Sequence, residues 1–136
     1  MSQVFLCYSL QDERDAATIR DELLERGLNV WWEAEVPTSK NWACRVARAL
    51  EKSDSMIVLV SPEAMASDLV KRELQHALRS RQLRDRLFPV MIRPTYVVPW
   101  CFRKLPMFDL TKNRTRGLGT VVKAIKTPRG RASDSG

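Results

Sequence analysis

An α/β fold, a flavodoxin-like three-layer sandwich around a five-stranded, mostly parallel sheet, is predicted by three features of the 136-residue sequence. Short apolar runs alternate with longer segments of helical period along the chain, which implies right-handed crossovers between parallel strands. One of those runs, SMIVLVSP at 55–62, is uninterrupted, as a central strand covered on both faces would be. The intervening segments also begin and end with residues that start and stop helices.

VFLCYS (4–9) reads as the first buried strand. The following LQDERDAATIRDELLERG reads as a helix with Ala16, Ile19, Leu23 and Leu24 on its inward face. Ser9 with Asp12 resembles a capping box, and Gly27 is the residue expected just past a helix end. LNVWW (28–32) is the second strand, whose adjacent tryptophans must point to opposite faces. EAEVPTSKN continues neither element and is a loop. A helix from Trp42 to Lys52 presents Ala43, Val46, Ala47 and Leu50 as its buried stripe.

After the central strand, Ser61 and Pro62 suit an N-cap and first turn, with regular helix from Ser67. Its stripe is Val70, Leu74, Ala77 and Leu78. LFPVMI (87–92) is the fourth strand, placed near an edge by Pro89, MFDLT (107–111) a short fifth, and GLGTVVKAIK (117–126) the last helix. Between Arg93 and Pro106 three prolines make an irregular segment, and there is no internal repeat. The expected organisation is one domain over 1–126 and a flexible tail or linker over 127–136, where TPRGRASDSG has linker composition.

The three cysteines, Cys7, Cys44 and Cys101, form no framework spacing and no CxxC, so reduced thiols in a cytoplasmic protein are expected, with no metal site. No apolar run approaches the length of a membrane span and no leader pattern opens the chain, so no membrane partner is expected. The net charge of +7 is split: residues 1–36 carry eight acids and three bases, the remainder eight acids and twenty bases. A solvated surface, head-to-tail self-association and polyanion binding all fit that split. Arg79, Arg81, Arg84 and Arg86 cluster after the third helix without interleaved aromatics, so nucleic acid is not the expected partner.

Open parallel sheets bind ligands at the carboxyl ends of their strands, here Tyr8-Ser9, Trp32-Glu33, Ser61-Pro62 and Arg93-Pro94. Those positions lack the carboxylates of a magnesium-dependent phosphoacceptor and the glycines of a phosphate cradle. The lone histidine, His76, has no GxSxG elbow to serve. What remains is Glu73, at the border of the stripe of its helix, which pattern alone reads as a solvated surface charge before a working group. A carboxylate with neighbouring aromatics is sufficient for cleavage of an N-glycosidic bond, because the transition state resembles an oxocarbenium ion.

VFLCYSLQD, GLNVWWEAE, ARALEKSDSMIVLVSPEAMAS and KRELQHAL, in this order and spacing over residues 3–126, resemble a TIR (Toll/interleukin-1 receptor) domain of the bacterial type. The resemblance implies one of two functions. One is NAD glycohydrolase activity giving nicotinamide and ADP-ribose or a cyclic isomer, activated by self-assembly, as an effector in bacterial immunity. The other is a non-catalytic scaffold or adaptor acting through homotypic TIR–TIR contacts. In the enzymes the working group is the glutamate of a W-x-x-x-E arrangement, which aligns with Glu73, while Leu69 stands at the tryptophan position. The same resemblance places Tyr8 and Ser9 beside the nicotinamide ribose and Trp31 or Trp32 near the base. It assigns Pro37, Thr38, Ser39 and Lys40 to an interaction loop, with Ser39 where glycine is common. NAD is then a substrate rather than a cofactor, and the partners are further copies of the chain in an oligomer or filament and a fused domain or sensor protein.

Overall fold

The computed structural model describes residues 3–32 and 42–127. The strands are β1 (Gln3–Cys7), β2 (Asn29–Trp31), β3 (Ser55–Val60), β4 (Leu87–Met91) and β5 (Phe108–Asp109). The helices are α1 (Glu13–Glu25), α2 (Trp42–Lys52), α3 (Pro62–Met65), α4 (Asp68–Arg79) and α5 (Arg114–Lys126). All five strands are parallel, in the order β2-β1-β3-β4-β5. The expected mostly parallel sheet is therefore wholly parallel. Strand order reverses between β1 and β3, so the crevice such sheets use for ligands lies at the carboxyl ends of those two strands.

Alternation along β1 divides the core into two layers. Val4, Leu6 and Tyr8 pack with Ala16, Ile19 and Leu23 of α1 and Leu118, Val121, Val122 and Ile125 of α5. Phe5 and Cys7 pack on the other face, with Val46, Ala49 and Leu50 of α2 and Val70, Leu74 and Ala77 of α4. β3 is buried throughout, as its unbroken apolar run requires. The edge strands β2 and β5 are only three and two residues long.

Three local expectations are corrected and one is refined. Leu24 is 47% exposed, because it lies about 100° round α1 from Leu23, off the arc that faces the sheet. Pro89 does lie near an edge: β4 is next to the edge strand β5 and pairs with both β3 and β5. Arg86 and Ile92 exchange hydrogen bonds with β3, so by alternation the nitrogen of Pro89 faces the other side, before β5 begins opposite Val90. Asp12 closes no capping box: Ser9 accepts from the Gln11 N–H at 3.3 Å, while Asp12 is buried and bonds elsewhere. Helix α5 starts at Arg114 rather than 117, capped by Asn113 accepting from the Arg116 N–H at 3.0 Å. Gly117 lies inside it because a Cβ there would meet Leu110 Cδ2 at 2.2 Å, so the glycine marks a close approach to β5 and not a helix boundary.

The Ser61 expectation is met in detail. Its hydroxyl oxygen accepts from the Ala64 N–H at 2.9 Å to cap α3, and Ser67 caps α4 through the Val70 N–H at 3.3 Å. The Ser61 hydroxyl also donates to Asp12 Oδ2 at 2.5 Å. Asp12 Oδ1 is paired with Arg93, which further reaches Asp15 at 2.9 Å and Glu63 at 2.9 Å, while Arg114 holds the other oxygen of Asp15 at 3.0 Å. This network ties the ends of β3 and β4 to the starts of α1, α3 and α5.

Beyond Arg93 the irregular segment is pinned by Phe102, which is buried, and by Val98, Cys101 and Leu105 against the α2/α4 core layer. Tyr96, Val97 and Trp100 are left outward, 93%, 82% and 74% exposed. Among the described residues no helix is long and apolar enough to cross a membrane. The proposed interaction loop, Pro37, Thr38, Ser39 and Lys40, lies outside the described residues, as does the tail from 128.

Candidate functional site

Glu73 is buried, with 6% of its surface exposed, so it is not the solvated border charge that the pattern of α4 favoured. It lies one turn beyond Leu69 and one residue before Leu74, a core residue, which brings its carboxylate toward the carboxyl end of β1. There it accepts a hydrogen bond from the Cys7 thiol. Burial, the Glu73 charge and that hydrogen bond together push the Cys7 thiol well above its ordinary range, so Cys7 is a protonated donor at neutral pH. No sequence pattern links positions 7 and 73, and Cys7 was read from the sequence only as a reduced thiol. The contact depends on the strand ending beside the second turn of α4.

Glu73 lines a hollow of about 180 Å³ between α2 and α4, with Val46, Ala47, Leu50, Leu69, Arg72 and His76. The wall from α2 is apolar. Arg72 and His76 are exposed and carry the polar side. A second, larger hollow of about 500 Å³ lies at the switch point, lined by Ser9, Leu10, Gln11, Pro62, Glu63, Ala66, Ser67 and Leu69. Leu69 lines both and stands between them. Ser9 and Leu69 thus share the larger hollow, and Leu69 and Glu73 the smaller one.

The aromatics separate as strand alternation requires. Trp31 sits beside Phe5 in the β1–β2 register and stacks on it with ring centroids 4.9 Å apart, against the same core layer as Cys7 and Leu74. Trp32 packs on the opposite layer, tilted against Tyr8 at 5.9 Å, and the Arg20 guanidinium lies 3.9 Å from its ring centroid. Tyr8, itself buried, belongs to that opposite layer. The structure therefore brings Leu69 together with Glu73 in one hollow and with Ser9 in the other, puts Trp31 against the core layer of the α2/α4 face, and places Tyr8 and Trp32 on the opposite layer.

Other candidate clusters are occupied by structural work. Arg86 donates to the carbonyls of Ile125 and Thr127, so its guanidinium is engaged at the end of α5. Among the described residues no group of three or more His, Cys, Asp or Glu side chains could hold a metal ion. Cys7, Cys44 and Cys101 form no disulfide.

The sequence profile of the TIR domain family matches residues 4–122. No curated protein matches the sequence. Among solved structures, the chain is similar to the TIR domain of the Toll-related receptor TRR-2 from Hydra magnipapillata, with 21% identity and a TM-score of 0.75. That match covers 91% of this chain and 98% of the other. It is similar to a metazoan TIR-STING receptor from C. gigas at 26% identity and a TM-score of 0.72, over 92% of this chain but only 40% of that longer one. The TIR domains of the activated Roq1 resistosome, which recognises the pathogen effector XopQ, match at 15% identity with a TM-score of 0.60, over 92% and 97% of the two chains.

Proposed function

This chain belongs to the TIR domain family, and from that premise we propose that it is an NAD glycohydrolase that works from Glu73. The observation that carries the reading is a carboxylate buried among core residues that nevertheless lines a hollow beside the end of β1. A buried acid facing an apolar wall is costly unless it has partners or a task. In the proposed reaction the bond between the ribose anomeric carbon and the nicotinamide nitrogen breaks. Its electron pair leaves with nicotinamide, which departs neutral and needs no general acid. The cation left on the sugar is stabilised by Glu73, and water then adds to the anomeric carbon and loses its proton to solvent.

Leu69 forms the wall that separates the two hollows, Ser9 lines the larger one, and Trp31 backs the strand tip on the same face. Tyr8 and Trp32 are read as packing. The openness of the crevice favours activation by assembly of copies, because an exposed site positions its reacting groups poorly until a neighbour covers it. Work as a cytoplasmic effector in bacterial immunity belongs to the same proposal.

The test is incubation of concentrated protein with NAD and measurement of free nicotinamide. Glu73→Gln is expected to lose about 100-fold or more in turnover while keeping the wild-type circular dichroism spectrum. Undiminished cleavage by that variant overturns the assignment. A second reading, a non-catalytic scaffold, is favoured by the exposed Tyr96, Val97 and Trp100 and by Leu69 at the tryptophan position. On that reading Trp100→Ala abolishes self-association and Glu73→Gln changes nothing.

A further inference from the structure

The end of β1 assigns a second residue to the site. We infer that Cys7 is a positioning residue for Glu73: its thiol, donating from the strand tip, fixes how the carboxylate stands beside the hollow between α2 and α4. The inference rests on the glycohydrolase reading for its kinetic consequence, but the contact itself does not.

Three observations converge on it. Cys7 has no exposed surface and is the last residue of β1, at the carboxyl end where a parallel sheet presents its ligands. Its side chain lies on the α2/α4 face, in one core layer with Val46, Leu50, Val70 and Leu74, the residues that flank Glu73 on both helices. It also donates to the Glu73 carboxylate, and burial keeps it from ionising to compete with that role. A donor fixed on the strand narrows how a carboxylate on a two-carbon stem can turn beside the hollow of about 180 Å³. Cys7 supplies that donor from a rigid element of the sheet, a better anchor than a loop.

The charged and titratable groups that line the hollow with Glu73 are Arg72 and His76 on α4, and Cys7 reaches it from β1. Cys7 can be exchanged without changing net charge. Removing its donor destabilises the ionised form of Glu73, so the Glu73 titration moves to higher pH and the acid limb of the activity profile moves with it.

The experiment compares wild type with Cys7→Ala, Cys7→Val and Cys7→Ser. Valine suits a buried strand and keeps most of the volume, so it covers the case in which alanine fails to fold. Two readouts are taken: the pH profile of NAD cleavage, split into kcat and KM, and the carboxyl titration of Glu73 followed by carbon-13 NMR. Alanine and valine are expected to lower kcat about tenfold with KM within about twofold, and to raise the Glu73 titration. Serine, which still donates, is expected to restore both. A Glu73 titration that superimposes on wild type in Cys7→Ala and Cys7→Val overturns the inference, as does a serine variant as impaired as alanine. If Glu73→Gln still cleaves NAD, the glycohydrolase reading falls, and the NMR titration alone decides whether Cys7 holds Glu73.

Discussion

Replacing Arg93 with alanine tests whether the cross-links above the sheet are held by a buried charge. Asp12 has no exposed side-chain surface, whereas its partner Arg93 is 39% exposed and the other two acids it holds, Asp15 and Glu63, are 30% and 38% exposed. Those outer pairs are wet and contribute less than about 1 kcal/mol each. The inner one is different: without Arg93, Asp12 keeps the hydroxyl of Ser61 but no cation at Oδ1, and a buried ion stripped of its partner costs about 3–5 kcal/mol. The partial exposure of Arg93 argues for the lower end, about 3 kcal/mol, or a fall in Tm of roughly 10 °C for a domain of this size. Thermal and urea unfolding at pH 7, followed by circular dichroism, measure it. The same substitution in an Asp12→Asn background isolates the cause, because there is no longer a buried charge to strand, and the loss should shrink to about 1 kcal/mol. Equal losses in the two backgrounds, or an Arg93→Ala variant within about 0.5 kcal/mol of wild type, would refute the reasoning.

Two further outcomes are expected. In the native protein at pH 8 a thiol reagent should modify exposed Cys44 quickly and half-buried Cys101, whose thiol burial pushes up, more slowly; Cys7 should react only after unfolding, and mass mapping of the labelled peptides reads the order. Leu69→Trp should raise kcat/KM for NAD several-fold, because a flat aromatic wall between the two hollows stacks on the nicotinamide ring better than a branched aliphatic one; unchanged or lower activity with intact folding counts against a base-stacking role at that position.

The strands and helices were legible in the sequence because each is written locally, in runs of β-branched residues and in caps such as Ser61, Ser67 and Gly27. What misled was local signal with a tertiary cause. Gly117 reads as the start of a helix, yet it sits inside one because Leu110 leaves no room for a Cβ. Pro89, by contrast, reads rightly as near an edge, and the shortness of the edge strand β5 spares it a missing bond. Asp12, in the acid-rich stretch LQDERD, is indistinguishable from its solvated neighbours until Arg93, from 81 residues further along, arrives beside it. At the candidate site, the spacing of α4 put Leu69 and Glu73 one turn apart, and both line the smaller hollow. The aromatics Tyr8 and Trp32 were named by their closeness in sequence to strand ends, and a two-residue period sends them to the other layer. Cys7 could have been found from the same period, since it shares the face of Phe5, but nothing in the pattern says that an acid waits there.

The sheet ends in strands of three residues on one side and two on the other. So short a row of unpaired backbone groups offers little template for another chain to zip onto, and the usual route from a parallel sheet to an irreversible fibre is closed at both borders. The self-assembly proposed above is then left to side chains on helices and loops, whose contacts dissociate on dilution and respond to salt. On that proposal, an assembly of copies can be taken apart again.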